Sequence, residues 1–117
     1  MIRRLPLLLL PTLLACSPDP DGCENVATFT GDNLTVSICV EVAQTEAERQ
    51  KGLAGRSTLA ADEGMLFDFP GESEVCMHNT GVGFDIDIIY INDAGRVTAI
   101  ERGVPGEDGS FRCHKQT

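Results

Sequence analysis

The sequence predicts a mainly β domain with one short helix, α+β by content. Three features predict it: segments of alternating apolar and polar residues, turn residues between those segments, and one capping signal for a helix. The chain has 117 residues, which is enough for one domain. Hydrophobic residues make up 42%, but there is no Trp and only one Tyr. We therefore expect a small aromatic core.

The N-terminus has the anatomy of an export signal. A short basic start, residues 1–4, precedes an apolar run at residues 5–14. This run is about half of the roughly 20 apolar residues that a membrane span requires. It ends in Leu13-Leu14-Ala15-Cys16, which resembles the bacterial lipobox. The resemblance implies a lipoprotein signal peptide at residues 1–15 and a lipidated, palmitate-type Cys16. The alternative is an ordinary signal peptide with Cys16 as one more structural cysteine.

The segment after the cleavage site is predicted to be a linker. Residues 16–24 contain the lipidated cysteine and then prolines, acids and a glycine, with little to bury. In Gram-negative lipoproteins, an Asp directly after the cysteine favours retention in the inner membrane, and this chain has Ser17 there. We expect an exported, lipid-anchored protein, at the outer membrane and facing the periplasm if the host is Gram-negative. Residues 25–117 then form a single β-rich domain.

The charge balance excludes some partners. The chain has 9 basic and 18 acidic side chains, a net charge of -9. Cleavage before Cys16 removes Arg3 and Arg4, which leaves 7 basic against 18 acidic side chains, a net charge of -11. Such a surface repels phosphate backbones. Nucleic acid is therefore not expected as a partner. A membrane, through the lipid anchor, is expected, and an envelope protein or small polar ligand is the remaining partner class.

Local patterns place the elements. Alternation and turn residues predict strands at Val26–Thr30, Leu34–Ala43, Gly64–Phe69, Val75–Thr80, Phe84–Ile91 and Arg96–Glu101. The apolar residues of the second strand, from Leu34 to Val42, are expected to face the core. Thr45 and Glu48 form a capping-box pattern, which predicts a helix to about Ala54 that Gly55 can end. The fifth strand is apolar on both faces in its second half, which predicts a central position.

The cysteines are expected to form two disulfides. If Cys16 carries lipid, an even number remains: Cys23, Cys39, Cys76 and Cys113. Exported proteins lie in compartments where disulfides persist. Four cysteines allow three pairings, and sequence alone does not choose among them. We favour Cys23–Cys39, because both fall near the same end of the first hairpin, and Cys76–Cys113, which would link the tail to a strand.

A family resemblance covers about half of the chain, from Val42 to about Ile100. It rests on Ala43-Gln-Thr45, Glu48-Arg49, Gly52-Leu53, Arg56, Leu59, Asp62-Glu-Gly-Met-Leu-Phe67, Phe69, Met77, Asn79-Thr80, Asp85-Ile86 and Gly95-Arg-Val97. In order and spacing these resemble the domain-of-unknown-function 192 family, small bacterial and archaeal domains that are often exported. The resemblance implies a compact β-sandwich-like domain with a short helix, and no established activity.

The chain departs from that family at several positions. It has Cys76 and His78 where the family usually has Trp and Lys, and Leu53 is followed by two small residues. The family usually continues beyond the point where this chain stops, with at least one more strand. We therefore expect either a short variant or a C-terminal truncation.

A polar pocket is one candidate site. Its residues would be Arg56, Glu63, Asn79, Thr80 and Asp85. The competing interpretation is structural: an Arg–carboxylate pair braces a loop, Asp85 hydrogen-bonds a turn, and Asp87 is solvated. A hydrolase built on Asp85 and Glu63 is the least favoured idea, because no nucleophile is placed to use these carboxylates.

A metal site is the other candidate. Cys76 and His78 share a strand face, and Cys113 and His114 could approach from the tail, which would offer zinc or copper two sulfurs and two imidazoles. The competing interpretation is that Cys76 lies in a disulfide and His78 is exposed.

We therefore expect a lipid-anchored cell-envelope domain that binds or scaffolds, without enzymatic activity, catalytic residues, cofactor or metal. The alternative is a periplasmic domain that handles zinc or copper through these four residues.

Overall fold

The computed structural model describes residues 2–3, 23–71 and 73–116. The elements are β1 (Ile2–Arg3), β2 (Asn25–Gly31), β3 (Leu34–Ala43), α1 (Glu46–Lys51), β4 (Glu63–Phe67), β5 (Glu74–Met77), β6 (Ile86–Ile91), β7 (Val97–Val104) and β8 (Arg112–Lys115). The predicted mainly β fold with one short helix is confirmed. Within the described ranges, no helix is long and apolar enough to span a membrane. Cys16, the predicted cleavage site and most of the predicted linker lie outside these ranges.

The residues form two compact units, and unit 1 contains Met1–Ala43 and Leu59–Phe67. Its sheet has the order β1-β2-β3-β4, with parallel pairing between β3 and β4 and antiparallel pairing elsewhere. The expected core face of β3 is buried only at one end. Val40 is buried, whereas Leu34 is 62% and Val36 41% exposed. Among the described residues, β4 pairs with β3 only from Cys39 onward, so the side chains in the first half of β3 have those of β2 as their strand neighbours on one side only.

Unit 2 contains Gln44–Thr58 and Asp68–Thr117 and begins with the capped helix. The Thr45 hydroxyl accepts the Glu48 N–H at 3.1 Å, and the Glu48 carboxylate accepts the Thr45 N–H at 3.0 Å. The predicted capping box is therefore present. The predicted end at Ala54 is wrong, because the helix stops at Lys51 and Gly52 takes a positive φ of 49°. Glycine adopts that conformation without the clash that a Cβ would cause.

The strands of unit 2 form two antiparallel pairs, β5–β8 and β6–β7. Ile88, Tyr90 and Val104 form its buried core. The predicted central position of β6 is wrong. In the described part of the chain β6 pairs with β7 alone, and Ile89 is 36% exposed.

Several predicted strand ends differ from the structure. Phe69, Asn79, Thr80 and Asp85 lie outside strands, whereas β7 continues to Val104. Strand β8 falls in a tail for which no strand was predicted. Its antiparallel pairing with β5 places Cys76 opposite Cys113. A strand of four residues with no apolar alternation gives no local signal, and only the pairing with β5 reveals it.

Two disulfides are present, and both have the favoured pairing. Cys23–Cys39 lies in unit 1 and joins the segment just before β2 to β3, with 5.6 Å between the Cα atoms. Cys76–Cys113 lies in unit 2 and joins β5 to β8, with 4.0 Å between the Cα atoms. The second links residues 37 positions apart, so it constrains a long stretch of the unfolded chain.

Candidate functional site

Asn79 lies at the centre of a junction between two loops of unit 2. Its side chain is completely buried. Its Nδ2 donates to the carbonyl oxygens of Phe84 at 3.0 Å and Pro105 at 2.9 Å, with Val104 at 3.4 Å. A buried amide is tolerated only when its hydrogen-bonding groups are largely satisfied, and three carbonyls meet that need for Nδ2. We call residues 78–85 and 105–111 together the loop junction.

Two carboxylates connect the loops from the outside. The Asp85 Oδ1 accepts the Gly106 N–H at 3.0 Å. In the opposite direction, the Glu107 Oε1 accepts the Gly81 N–H at 3.0 Å. A hydrogen bond between backbone groups adds to these contacts, since the Glu107 N–H donates to the Val82 carbonyl at 2.8 Å. Hydrogen bonds to ionised acceptors are stronger than neutral ones, so the two loops hold each other in a fixed arrangement.

Gly106 permits the closest approach between the loops. A Cβ at this position would lie 2.8 Å from the Phe84 nitrogen and 2.9 Å from the Gly83 carbonyl carbon. Both neighbours are backbone atoms and cannot rotate away. The Asp85–Gly106 hydrogen bond therefore depends on the absence of a side chain at residue 106.

The residues of the polar pocket predicted from the sequence are divided between the two units. Asn79, Thr80 and Asp85 lie together at the loop junction, but Glu63 belongs to unit 1, where its Oε1 accepts the Ala60 N–H at 3.0 Å. The backbone N–H of Arg56 donates to the Leu53 carbonyl at 3.1 Å in the turn after α1. The structural interpretation of Asp85, a hydrogen bond to a turn, is confirmed. Asp87 is exposed, but it also accepts the Gly103 N–H at 2.8 Å.

A second polar cluster, the Glu101 network, was missed at the sequence level. Glu101 on β7 places one carboxylate oxygen 2.6 Å from the His114 Nε2 and the other 3.4 Å from the Arg112 guanidinium. Arg112 also pairs with Asp108 at 2.6 Å. The Tyr90 hydroxyl donates to the Arg112 carbonyl at 2.6 Å, and its ring lies 4.5 Å from the His114 ring. The network fixes β8 against the core, and no local sequence pattern connects its members.

The pKa values of side chains in the network are shifted in the directions that these contacts require. Hydrogen bonds from the Ser110 hydroxyl and backbone N–H, and then from Arg112, lower the pKa of Asp108 to about 2. The hydrogen bond from His114 lowers the pKa of Glu101 below its ordinary value. Burial raises the pKa of Tyr90, which keeps its hydroxyl a donor. Glu101 and Asp108 therefore act as charged partners of β8.

The four residues proposed for a metal site are not brought together. The sulfurs of Cys76 and Cys113 are bonded to each other. The His78 Nδ1 accepts the Thr80 N–H at 3.2 Å, and His114 pairs with Glu101. Adjacent strand residues point to opposite faces, so Cys113 and His114 cannot face one ion. Across residues 2–3, 23–71 and 73–116, no group of three or more His, Cys, Asp or Glu side chains has a metal-binding arrangement.

The chain is similar to two solved structures. One is a protein of unknown function from Novosphingobium aromaticivorans DSM 12444, with 27% identity, a TM-score of 0.73, and coverage of 76% of this chain and 64% of that one. The other is a candidate transcription regulator from Sinorhizobium meliloti 1021, with 27% identity, a TM-score of 0.71, and coverage of 75% and 68%. This chain thus spans about two thirds of the length of each. No curated protein matches it significantly.

The sequence itself matches the model of one protein family. The matched range is longer than the range of the family resemblance, which runs from residue 42 to about residue 100. Residues 27–117 match the family DUF192, described as "Uncharacterized ACR". The matched range begins in β2 and includes α1, the loop junction and the Glu101 network. It therefore contains every residue on which the resemblance rested. The chain belongs to the domain-of-unknown-function 192 family.

Proposed function

We propose that this chain is a lipid-anchored, non-enzymatic binding module of the cell envelope. The observation that carries the anchor is the disulfide pattern. Cys23 pairs with Cys39 and Cys76 with Cys113, so Cys16 is the one cysteine of five that these bonds do not use. It follows a signal-like apolar run at the position where a lipobox cysteine is acylated. Lipid on Cys16 accounts both for the position of this cysteine after the apolar run and for the fact that the two disulfides do not use it.

The loop junction is the proposed binding surface. Loops held by a rigid scaffold are the usual location of binding residues. Thr80, Gly81, Pro105, Glu107 and Phe111 are exposed there, while Asn79 holds the loops from beneath. The Asp85 and Glu107 carboxylates already accept backbone N–H groups, so they brace the loops. That arrangement favours recognition of a partner over acid–base chemistry.

The class of partner follows from the net charge of the chain and from its proposed location in the cell envelope. An envelope protein or a small polar ligand fits an acidic, exported domain. Nucleic acid does not fit, because a net charge of -9 opposes the phosphate backbone. We therefore do not transfer the transcriptional role suggested for the Sinorhizobium protein.

The anchor is tested with labelled palmitate in a bacterial host. The full-length protein is expected to incorporate the label and to sediment with membranes. The Cys16→Ser variant is expected to lose the label. Ser17→Ala is the matched control, because it leaves the acylated cysteine in place. Equal label in the Cys16→Ser variant would contradict the anchor.

The binding surface is tested by photocross-linking in cells. A photoreactive phenylalanine analogue replaces Phe111, which is 67% exposed at the loop junction, or Asp93 in the turn between β6 and β7 as the control. We expect a discrete adduct from position 111 and none from position 93. The adduct should disappear when Asn79→Asp disrupts the loops. Equal adducts at both positions, or none at either, would contradict a binding role for the junction.

A further inference from the structure

The two disulfides of this chain lie in different surroundings. Cys23 and Cys39 are both partly buried. Cys76 and Cys113 are both exposed and sit directly opposite each other on β5 and β8. A thiolate must reach a sulfur along the axis of the S–S bond to break it, so access is one determinant of the exchange rate. The Cys76–Cys113 bond is the accessible one.

The neighbours of the exposed disulfide differ at its two ends. Side chains two positions apart on a strand share a face, so Lys115 lies on the same face as Cys113, and His78 continues the direction of Cys76 beyond the end of β5. The His78 ring packs edge-on against Phe111 at 5.0 Å. The lysine is opposite Glu74 in the register of the two strands. A cation close to a sulfur stabilises the thiolate that exchange releases.

Strand β8 has attachments that do not involve the disulfide. Tyr90 donates to the Arg112 carbonyl at 2.6 Å, and Glu101 holds His114 at 2.6 Å. The backbone of Gln116 donates to the Ser73 carbonyl at 2.8 Å beyond the far end of the strand. These contacts would keep Cys76 and Cys113 opposite each other after the S–S bond opens. Opening is then a local event, and the bond can close again in the same register.

We propose that Cys76–Cys113 is a reversible thiol–disulfide exchange site, and that Cys23–Cys39 is a structural bond. The co-substrate is a dithiol, such as the active-site pair of an envelope thiol–disulfide oxidoreductase. The inference goes beyond the proposed binding role and does not require the lipid anchor.

The exchange proceeds in two steps. A thiolate of the dithiol attacks the Cys76 sulfur, forms a mixed disulfide and releases Cys113 as a thiolate on the strand face that it shares with Lys115. The second thiol of the partner gives its proton to that thiolate and attacks its own sulfur in the mixed disulfide. Cys76 leaves and takes a proton from water. Two electrons pass from the dithiol, which becomes a disulfide, to this chain, which gains two thiols.

The test follows both disulfides in one molecule, so Cys23–Cys39 is the internal control. Oxidised protein is treated with dithiothreitol at neutral pH, quenched with acid at intervals, alkylated and mapped by mass spectrometry. We expect Cys76–Cys113 to be reduced roughly tenfold or more faster than Cys23–Cys39, with an unchanged circular dichroism spectrum. Equal rates, a faster Cys23–Cys39, or loss of the folded spectrum along with the first reduction would overturn the proposal.

A variant tests the direction of attack. Lys115→Gln removes the cation beside the released Cys113 thiolate and is expected to slow the reduction of Cys76–Cys113 several-fold. Lys51→Gln, at the end of α1, is the matched control and should leave the rate unchanged. The mixed disulfide trapped early with a single-thiol reagent should be on Cys76. Trapping on Cys113 alone would overturn the assignment of the leaving group.

Discussion

The side-chain amide of Asn79 donates to the backbone carbonyl of Pro105 at 2.9 Å, across 26 residues of sequence. The same nitrogen reaches Phe84, within its own loop. One completely buried polar group therefore positions both loops of the proposed binding surface. The Oδ1 of Asn79 is buried and has no hydrogen-bond partner among the described residues, so the side-chain amide holds the two loops through its N–H donors.

Replacement of Asn79 is expected to destabilise the fold in a graded way. Asn79→Ala leaves the carbonyls of Phe84 and Pro105 without their donor, which should cost about 2–4 kcal/mol in the free energy of unfolding. Asn79→Asp should cost more, because a buried carboxylate would face those same carbonyl oxygens. Urea denaturation measures both. Thr80→Ala, at the exposed neighbour, is the control and should change stability by less than about 0.5 kcal/mol. An Asp variant as stable as the wild type would refute this role.

Gly106→Ala is expected to separate the loops. The added Cβ would lie 2.8 Å from the Phe84 nitrogen, so the backbone must move and the Asp85–Gly106 hydrogen bond must lengthen. We expect a loss of about 1–3 kcal/mol, the usual range for overpacking. Gly83→Ala is the matched control, since a Cβ there meets nothing within 4 Å. Equal thermal unfolding midpoints for the two variants would show that the close approach does not matter.

Tyr90→Phe tests the attachment of β8. The change keeps the buried ring and removes the hydroxyl that donates to the Arg112 carbonyl at 2.6 Å. Loss of one buried hydrogen bond should reduce the free energy of unfolding by roughly 1–2 kcal/mol. Hydrogen exchange should accelerate in β8 more than in β2 or β3. Uniform acceleration across all strands would mean that the hydroxyl does not act locally.

Asp108 should contribute to stability at neutral pH and lose that contribution in acid. Hydrogen bonds from Ser110 and then Arg112 lower its pKa from 3.8 to about 2 in the folded protein. A carboxylate whose pKa is lower in the folded than in the unfolded protein stabilises the fold at pH values above its unfolded pKa. This stabilisation is lost as the pH falls through its folded pKa. Asp108→Asn should therefore lower the urea midpoint at pH 7, and the difference should shrink between about pH 4 and pH 2.

The control for this pH dependence is Asp93→Asn. Asp93 is exposed in the turn between β6 and β7, away from the Glu101 network. The urea midpoint of the Asp93→Asn variant should equal that of the wild type at every pH from 7 to 2. A constant difference between Asp108→Asn and the wild type from pH 7 to pH 2 would contradict the assignment.

Local patterns were sufficient for several features. Alternation identified the whole of β3, and the Thr45–Glu48 capping box identified the start of α1, because both signals depend on neighbouring residues. The favoured disulfide pairing is present as well, although the sequence left the other two pairings open. Asp85 was expected to bond a turn, and it does.

Other features depend on contacts between distant segments. Asn79 was assigned to a polar pocket, but its burial arises from residues 104 and 105, which no local pattern brings to it. Strand β8 and the Glu101 network are invisible for the same reason. Glu101, Arg112 and His114 meet only once β7 and β8 are in place. The exposure of Leu34 reflects the short length of β4 and not the composition of β3.

The central claim is that a lipid on Cys16 holds this disulfide-linked domain at the envelope. Intact-mass analysis of protein purified from membranes tests it most directly. The account predicts a chain that begins at Cys16, carries diacylglycerol and an acyl group, and lacks four hydrogens because of the disulfides Cys23–Cys39 and Cys76–Cys113. A chain of unmodified mass, or one in which Cys16 forms a disulfide, would contradict it.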